Sequence, residues 1–315
     1  MNHSLAIPGW NGRPLSKMML GTVQFGMTYG IANRTGQPDS AEVRAILKAA
    51  LDAGVNALDT AAAYGSSEEI LGQALADLGI ANDLFVVTKV RPLTPLELAD
   101  PSLAASAIEN SALESSRKLR LDRLPGLLFH RESDAAYAHV LIDLKNRGLL
   151  LYPGVSCDNT PGPAASFAAS GTVSALQIPG NILDRRHQLS GIFSLAQSSG
   201  VALFLRSIYL QGLLVMPQEQ IPPHLSQIIP YRNQLQSLAE QAAITLSELA
   251  LRYMLAQPGI TSCLTGVETL QQVHDNLALF AKGPLSPDLL HAVDSLRLTP
   301  PDPILTPSLW NAPKS

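Results

Sequence analysis

The chain has 315 residues, 46% of them hydrophobic and 15% charged, enough for one large α/β barrel or two ordinary domains with a substantial core. A net charge of -4 without a basic stripe argues against nucleic acid as a partner. Two cysteines far apart in sequence, Cys157 and Cys263, fit neither a disulfide scaffold nor a zinc site, so no metal is expected. Residues 1–9 lack a basic region followed by a long apolar run, and apolar runs such as 201–205 are strand-sized. A cytoplasmic protein without membrane association is the expectation.

Residues 18–23 read as a buried first strand, with Gln24, Phe25, Gly26, Tyr29 and Gly30 in its loop. Asp39 and Ser40 precede an apolar-periodic helix (Val43, Ile46, Leu47, Ala50, Leu51) closed by Gly54. A strand over 55–59 follows, then a helix capped by Ser66 or Ser67 and closed by Gly79. The pattern continues with a strand at 84–89, a long helix at 101–119 and a strand at 124–130. Ser133 and Asp134 cap a helix ending at Gly148, followed by a strand at 150–156, a helix at 163–170 and a strand at 173–177. A helix at 190–199, a strand at 201–205, helices at 224–242 and 246–257, a strand at 260–264 and a last helix at 269–279 complete the series.

Short apolar strands separated by single helices predict a parallel sheet. Eight such units, with strands near residues 20, 57, 87, 127, 153, 175, 203 and 262, predict an α/β fold of the (β/α)8 TIM-barrel class. A doubly wound open sheet competes, but no G-x-G-x-x-G opens a helix after the first strand. The whole chain, 1–315, is read as one domain. Residues up to about 17 would form a cap over the barrel bottom, and the Pro-rich tail from about 296 would be irregular.

Several strands end in residues that a core would not select: Asp59, Lys89, His130, Ser156, Gln177, and Arg206 with Ser207. In a barrel these ends converge on one mouth, where Tyr64, in the loop after Asp59, joins them. A Lys ammonium beside a phenol favours the phenolate, and a carboxylate keeps that Lys charged and placed. An imidazole can orient a carbonyl oxygen and assist proton transfer. Asp59, Tyr64, Lys89 and His130 are therefore the candidate catalytic set, suited to delivering a proton to an oxygen.

At these residues the chain resembles an aldo-keto reductase over almost its whole length. The resemblance rests on Leu20-Gly21-Thr22, Leu58-Asp59-Thr60-Ala61-x-x-Tyr64-Gly65 with Ser67-Glu68, Thr88-Lys89, Leu128-Phe129-His130 and Gly154-Val155-Ser156. Gln177, the segment from Ser207 through Gly212-Leu213-Leu214, 249–253, and Gly266 with Asp275-Asn276 extend it. It implies a (β/α)8 barrel that binds extended NAD(P)H without a Rossmann domain. Tyr64 would be the general acid, tuned by Lys89 and Asp59, with His130 orienting the substrate carbonyl and hydride coming from the cofactor. The cofactor set implied by matching positions begins with Gly21, Thr22 and Asp59. It continues with Ser156 and Gln177 at the nicotinamide carboxamide, then Arg206, Ser207 and Gly212, and ends with Gly266, Glu268, Gln272, Asp275 and Asn276.

The chain departs from the family pattern in three places. Ser156-Cys157-Asp158-Asn159 stands where Ser-Asn is common. Arg206 stands where many relatives place an aromatic ring, and its guanidinium can stack or bind an anion. The segment 266–276 contains no Lys or Arg for a 2′-phosphate, and Glu268 would repel one, so NAD(H) is favoured over NADP(H). The expected function is interconversion of a small-molecule carbonyl, of a sugar or small polyhydroxy compound, with an alcohol. A non-catalytic nucleotide-binding regulatory barrel, or an epimerase or lyase that recycles its cofactor, remains as the alternative. The sequence leaves the oligomeric state open.

Overall fold

The structure, a computed structural model, describes residue 7 and residues 9–310. Residues 1–6 and 8 of the expected cap and 311–315 of the expected tail lie outside the described residues. Eight strands close a barrel in sequence order: β1 (Met18–Gly21), β2 (Ala57–Asp59), β3 (Phe85–Val90), β4 (Leu124–Phe129), β5 (Leu150–Ser156), β6 (Ala175–Pro179), β7 (Ala202–Arg206) and β8 (Ser262–Gly266). Every neighbouring pair is parallel, including β1 with β8. The expected (β/α)8 barrel is the fold. β6 and β8 are shifted about two residues later than the sequence predicts, because their apolar runs begin in the preceding turn.

Two apolar layers make the core. One lies between strands and helices and includes Ile46, Leu71, Ile108 and Leu249. The other fills the barrel and includes Met19, Ala57, Phe85, Val87, Leu128, Ala175 and Phe204. Trp10 meets Phe85 edge to face with ring centroids 5.5 Å apart, and Leu15 packs into the same cluster. The residues ahead of β1 thereby contact the barrel's amino-terminal end.

The helices follow local capping chemistry. Asp39 accepts from the Ala41 and Glu42 amides and starts the helix Ser40–Asp52. Asp100 does the same for the long helix Pro101–Leu119. A short helix, Pro95–Ala99, precedes it, with a Thr94/Glu97 capping box. Ser66 sits at the start of Ser67–Leu78, but neither serine caps it. Ser67 is buried instead, donating to the Thr22 carbonyl at 2.7 Å and lying 3.0 Å from the Thr22 and Thr60 hydroxyls. The unit expected from Ser133 to Gly148 splits into a 3-10 turn, Glu132–Tyr137, and a helix, Ala138–Asn146. The helix expected at 190–199 is present as Ile192–Ser198, and an additional one-turn helix, Arg186–Leu189, precedes it. The helix Leu270–Ala281 is not the last: Ser286 caps a further helix, Pro287–Ser295. Beyond it, the short helix Asp302–Leu305 buries Ile304 and Leu305, and Asn159 donates to the Leu305 carbonyl at 3.5 Å.

No helix among the described residues is long and apolar enough to cross a membrane.

Candidate active site

Side chains alternate along a strand, so the residue two beyond an inward apolar residue also points inward, one layer nearer the carboxyl end. Met19 of the barrel filling is followed in this way by Gly21, Ala57 by Asp59, Val87 by Lys89, and Leu128 by His130. Ala175 is followed by Gln177, Phe204 by Arg206 and Leu264 by Gly266. The strand ends thus carry a polar layer directly above an apolar plug, the place where barrels of this class keep their chemistry.

The centre of that layer is Lys89, which is fully buried. Its ammonium donates to Asp59 Oδ1 at 2.7 Å, to the Thr60 carbonyl at 2.8 Å and to Tyr64 Oη at 3.4 Å. Burial opposes the Lys89 charge, but the Asp59 carboxylate and the Tyr64 oxygen outweigh it and hold the ammonium above the usual lysine range. Gln177 Nε2 also donates to Asp59 Oδ1, at 2.7 Å, so one carboxylate oxygen receives both the Lys and the Gln. The half-buried Tyr64 stands edge to face with His130, ring centroids 5.7 Å apart. Four of the sequence-predicted residues, Asp59, Tyr64, Lys89 and His130, therefore form one contiguous group.

His130 is held neutral. Burial first, then the cationic Lys89, Arg206 and Arg131, push its imidazole down to about 3. In the unfolded chain the ring takes up a proton as pH falls through about 6.5, whereas the folded ring resists protonation until about pH 3. The folded state binds fewer protons in that window, so stability present above about pH 6.5 drains away as pH falls towards 3. His130→Gln is expected to remove this component. Its melting temperature relative to the parent should be constant above pH 7 and should rise as pH falls from 6.5 to 4; a pH-independent difference contradicts the assignment.

Above this group opens a cavity of about 710 Å³. Its wall includes Asp59, Tyr64 and His130 and every other residue expected at a cofactor: Gly21, Thr22, Ser156, Gln177, Arg206, Ser207, Gly212, Gly266, Glu268, Gln272, Asp275 and Asn276. Lys89 lies beneath the floor. The segment after β7 holds Ser207, Leu210 and Gln211 at φ values of 68°, 50° and 53°, in the left-handed region that non-glycine residues seldom occupy. Gly212 continues it at φ 90°, where an added Cβ would lie 2.3 Å from that of Ala32. Among the buried side-chain atoms without a protein partner, His130 Nδ1, Gln24 Oε1, Thr265 Oγ1 and the Tyr209 hydroxyl belong to cavity-lining residues. Orphaned polar atoms are costly in a core and mark a surface built for a polar ligand. An extended dinucleotide fits this wall: polar groups from β1, β5, β6, β7 and β8 and the start of Leu270–Ala281 line one continuous cavity.

The family model described as the Aldo/keto reductase family matches residues 17–298. The chain belongs to the aldo/keto reductase family. Among its relatives, the uncharacterized oxidoreductase YqkF of Bacillus subtilis is 24% identical over 283 residues, covering 84% of this chain and 90% of the relative. An NADH-specific methylglyoxal reductase of Escherichia coli is 25% identical over 260 residues, covering 71% and 78%. In fold, the chain is similar to an aldo-keto reductase of Bacillus halodurans in its holo form, with a TM-score of 0.71 and 24% identity, covering 89% of this chain and 91% of that one. As a member of this family the protein is an NAD(P)H-dependent oxidoreductase.

Polar residues of the cavity wall that the sequence of this aldo-keto reductase did not single out include Arg131, Asp158, Tyr209, Gln211, Ser247 and Thr265. Arg131 directly follows His130 and Asp158 lies two residues beyond Ser156, and position alone was the available signal. Gln24 was expected only as loop. Gln24 sits on a one-turn helix, Val23–Gly26, too short to register as periodicity, and its side chain crosses to Gly266, where an added Cβ would lie 2.6 Å from Gln24 Nε2.

Proposed function

We propose that the protein reduces a small polar carbonyl compound, with Tyr64 as the proton donor. The supporting observation is the single ammonium of Lys89 bonded at once to Asp59 and Tyr64 on the cavity floor. Bound NAD(P)H supplies the hydride. The carbonyl oxygen then receives its proton from Tyr64 Oη, and Lys89 stabilises the phenolate oxygen left behind. Asp59 keeps the ammonium charged and in place, and Gln177 fixes that carboxylate. His130, neutral across the working pH range, offers a ring N–H to the carbonyl oxygen and sets its angle to Tyr64. Ser156 and the carbonyl of the Gln177 amide, both lining the cavity, would take a nicotinamide carboxamide. The number of hydrogen-bonding groups in the wall, from Tyr29 and Asn33 to Gln211, favours a sugar or other small polyhydroxy carbonyl over a large apolar one.

The cofactor half of the cavity favours NAD(H). Residues 266–276 carry no Lys or Arg. Glu268 accepts from Gln272 Nε2 at 3.2 Å and from the Thr35 hydroxyl at 3.5 Å, a carboxylate able to accept a ribose hydroxyl and to repel a 2′-phosphate. The NADH-specific relative is consistent with this preference. Titrating tyrosine and tryptophan fluorescence should show NADH binding at least about tenfold tighter than NADPH, roughly 1.4 kcal/mol, with Glu268→Gln narrowing the gap. Tighter binding of NADPH contradicts the assignment. Oxidation of NADH in the presence of glyceraldehyde or methylglyoxal, followed at its absorbance band, tests the reductase reading itself.

A further inference from the structure

The wall beside His130 carries positive charge that the protein leaves uncompensated. Arg131 directly follows the His130 strand end, and Arg206 ends β7; both line the cavity. Among the described residues neither guanidinium has an acidic partner at ion-pair distance. Arg206 has one protein acceptor there, the Cys157 carbonyl, which takes Nη2 at 3.0 Å. A guanidinium has five N–H donors, and its planar fork matches a carboxylate or phosphate. The remaining donors of Arg206 are therefore free to meet a ligand.

Two acids lie in the same region. Glu132 is occupied by the Asp158 backbone, whose N–H it accepts at 3.1 Å, and burial raises its carboxyl above the usual range. Asp158 lines the cavity without pairing to either arginine. The charges that act on the His130 ring are Lys89, Arg206 and Arg131, all cationic, and Lys89 is already matched by Asp59. Two cations without a carboxylate partner, the half-buried Arg206 and the exposed Arg131, therefore lie beside the imidazole that orients the carbonyl.

We propose that Arg131 and Arg206 form a binding site for an anionic oxygen group, a carboxylate or a phosphate ester, carried by the carbonyl substrate close to its reacting carbon. This deepens the reductase reading above and rests on it. A carbonyl held between Tyr64 and His130 would place an attached anionic group beside the two guanidiniums. The substrate would then supply the charge that the wall lacks, which aligns the carbonyl and discriminates against neutral sugars.

Matched carbonyl pairs test this: 4-oxobutanoate against butanal, and glyceraldehyde 3-phosphate against glyceraldehyde, assayed with NADH at low ionic strength. The expected result is a kcat/KM at least about tenfold higher for the charged member of one pair, equal to roughly 1.4 kcal/mol. The favoured pair tells carboxylate from phosphate. Arg131→Gln and Arg206→Gln should each reduce the charged-to-neutral ratio several-fold, the loss falling mainly in KM. Equal rates within both pairs, or a ratio unchanged in both variants, overturn the anion site while leaving the reductase reading intact. Reduction of none of the four compounds counts against the reductase reading instead. Stabilisation by the inert anions succinate and glycerol 3-phosphate, measured as a rise in melting temperature, then decides the site separately: an arginine-dependent rise supports it, and no rise overturns it.

Discussion

Lys89→Met is expected to abolish carbonyl reduction and to destabilise the protein by about 3–5 kcal/mol, the range for breaking a buried ion pair from one side. The ammonium is fully buried and meets Asp59 Oδ1 at 2.7 Å, and Asp59 is itself only 3% exposed. Removing the cation leaves a nearly buried carboxylate in the cavity wall with Gln177 Nε2 as its remaining side-chain donor. That one bond should hold the loss towards the lower end of the range. A Lys89→Met/Asp59→Leu double variant removes the stranded charge and should regain much of the stability while staying inactive. Urea unfolding followed by circular dichroism, beside turnover assays, separates the two effects. A single variant as stable as the parent would contradict the buried pair as drawn.

Tyr64→Phe separates chemistry from stability more cleanly. Positioned general acids contribute roughly 10²–10⁴-fold, and kcat should fall by an amount in that range. The fold should tolerate the change, because Lys89 keeps Asp59 Oδ1 and the Thr60 carbonyl as acceptors. NADH affinity should stay within about threefold, since a hydroxyl that acts only on the reacting carbonyl contributes little to ground-state cofactor binding. Fluorescence titration and steady-state kinetics on one preparation give both numbers. Unchanged turnover would remove Tyr64 as the acid. A matched collapse of cofactor binding would make it a binding residue instead.

The sequence makes the barrel legible because each strand is a short apolar run between helices, and the closed parallel sheet has those eight runs in order. The polar layer is legible for the same reason: Asp59, Lys89, His130 and Gln177 interrupt an inward apolar alternation at the carboxyl end of their strands. Departures come where local signals are short or shared. The one-turn helix carrying Gln24 has no periodicity to detect. Pro287–Ser295 falls unassigned between the expected last helix and the Pro-rich tail, although Ser286 followed by Pro287 is a helix start. Ser67 resembles a cap in sequence, but its hydroxyl serves the Thr22 carbonyl, tying the β1 end to the start of Ser67–Leu78. Arg131 could not be singled out because an arginine beside a strand-end residue is usually a solvated charge. Only the cavity wall shows it beside His130 and Arg206.

The central claim is net reduction of a carbonyl at Tyr64 with consumption of the cofactor. Mass balance of NADH oxidised against alcohol formed, measured over many turnovers by absorbance and chromatography on the same sample, tests it most directly. The account predicts a ratio of one to one, lost together in Tyr64→Phe. Product formed without net change in the cofactor, as in an epimerase or lyase, would contradict it, as would a protein that binds NADH and transforms no carbonyl.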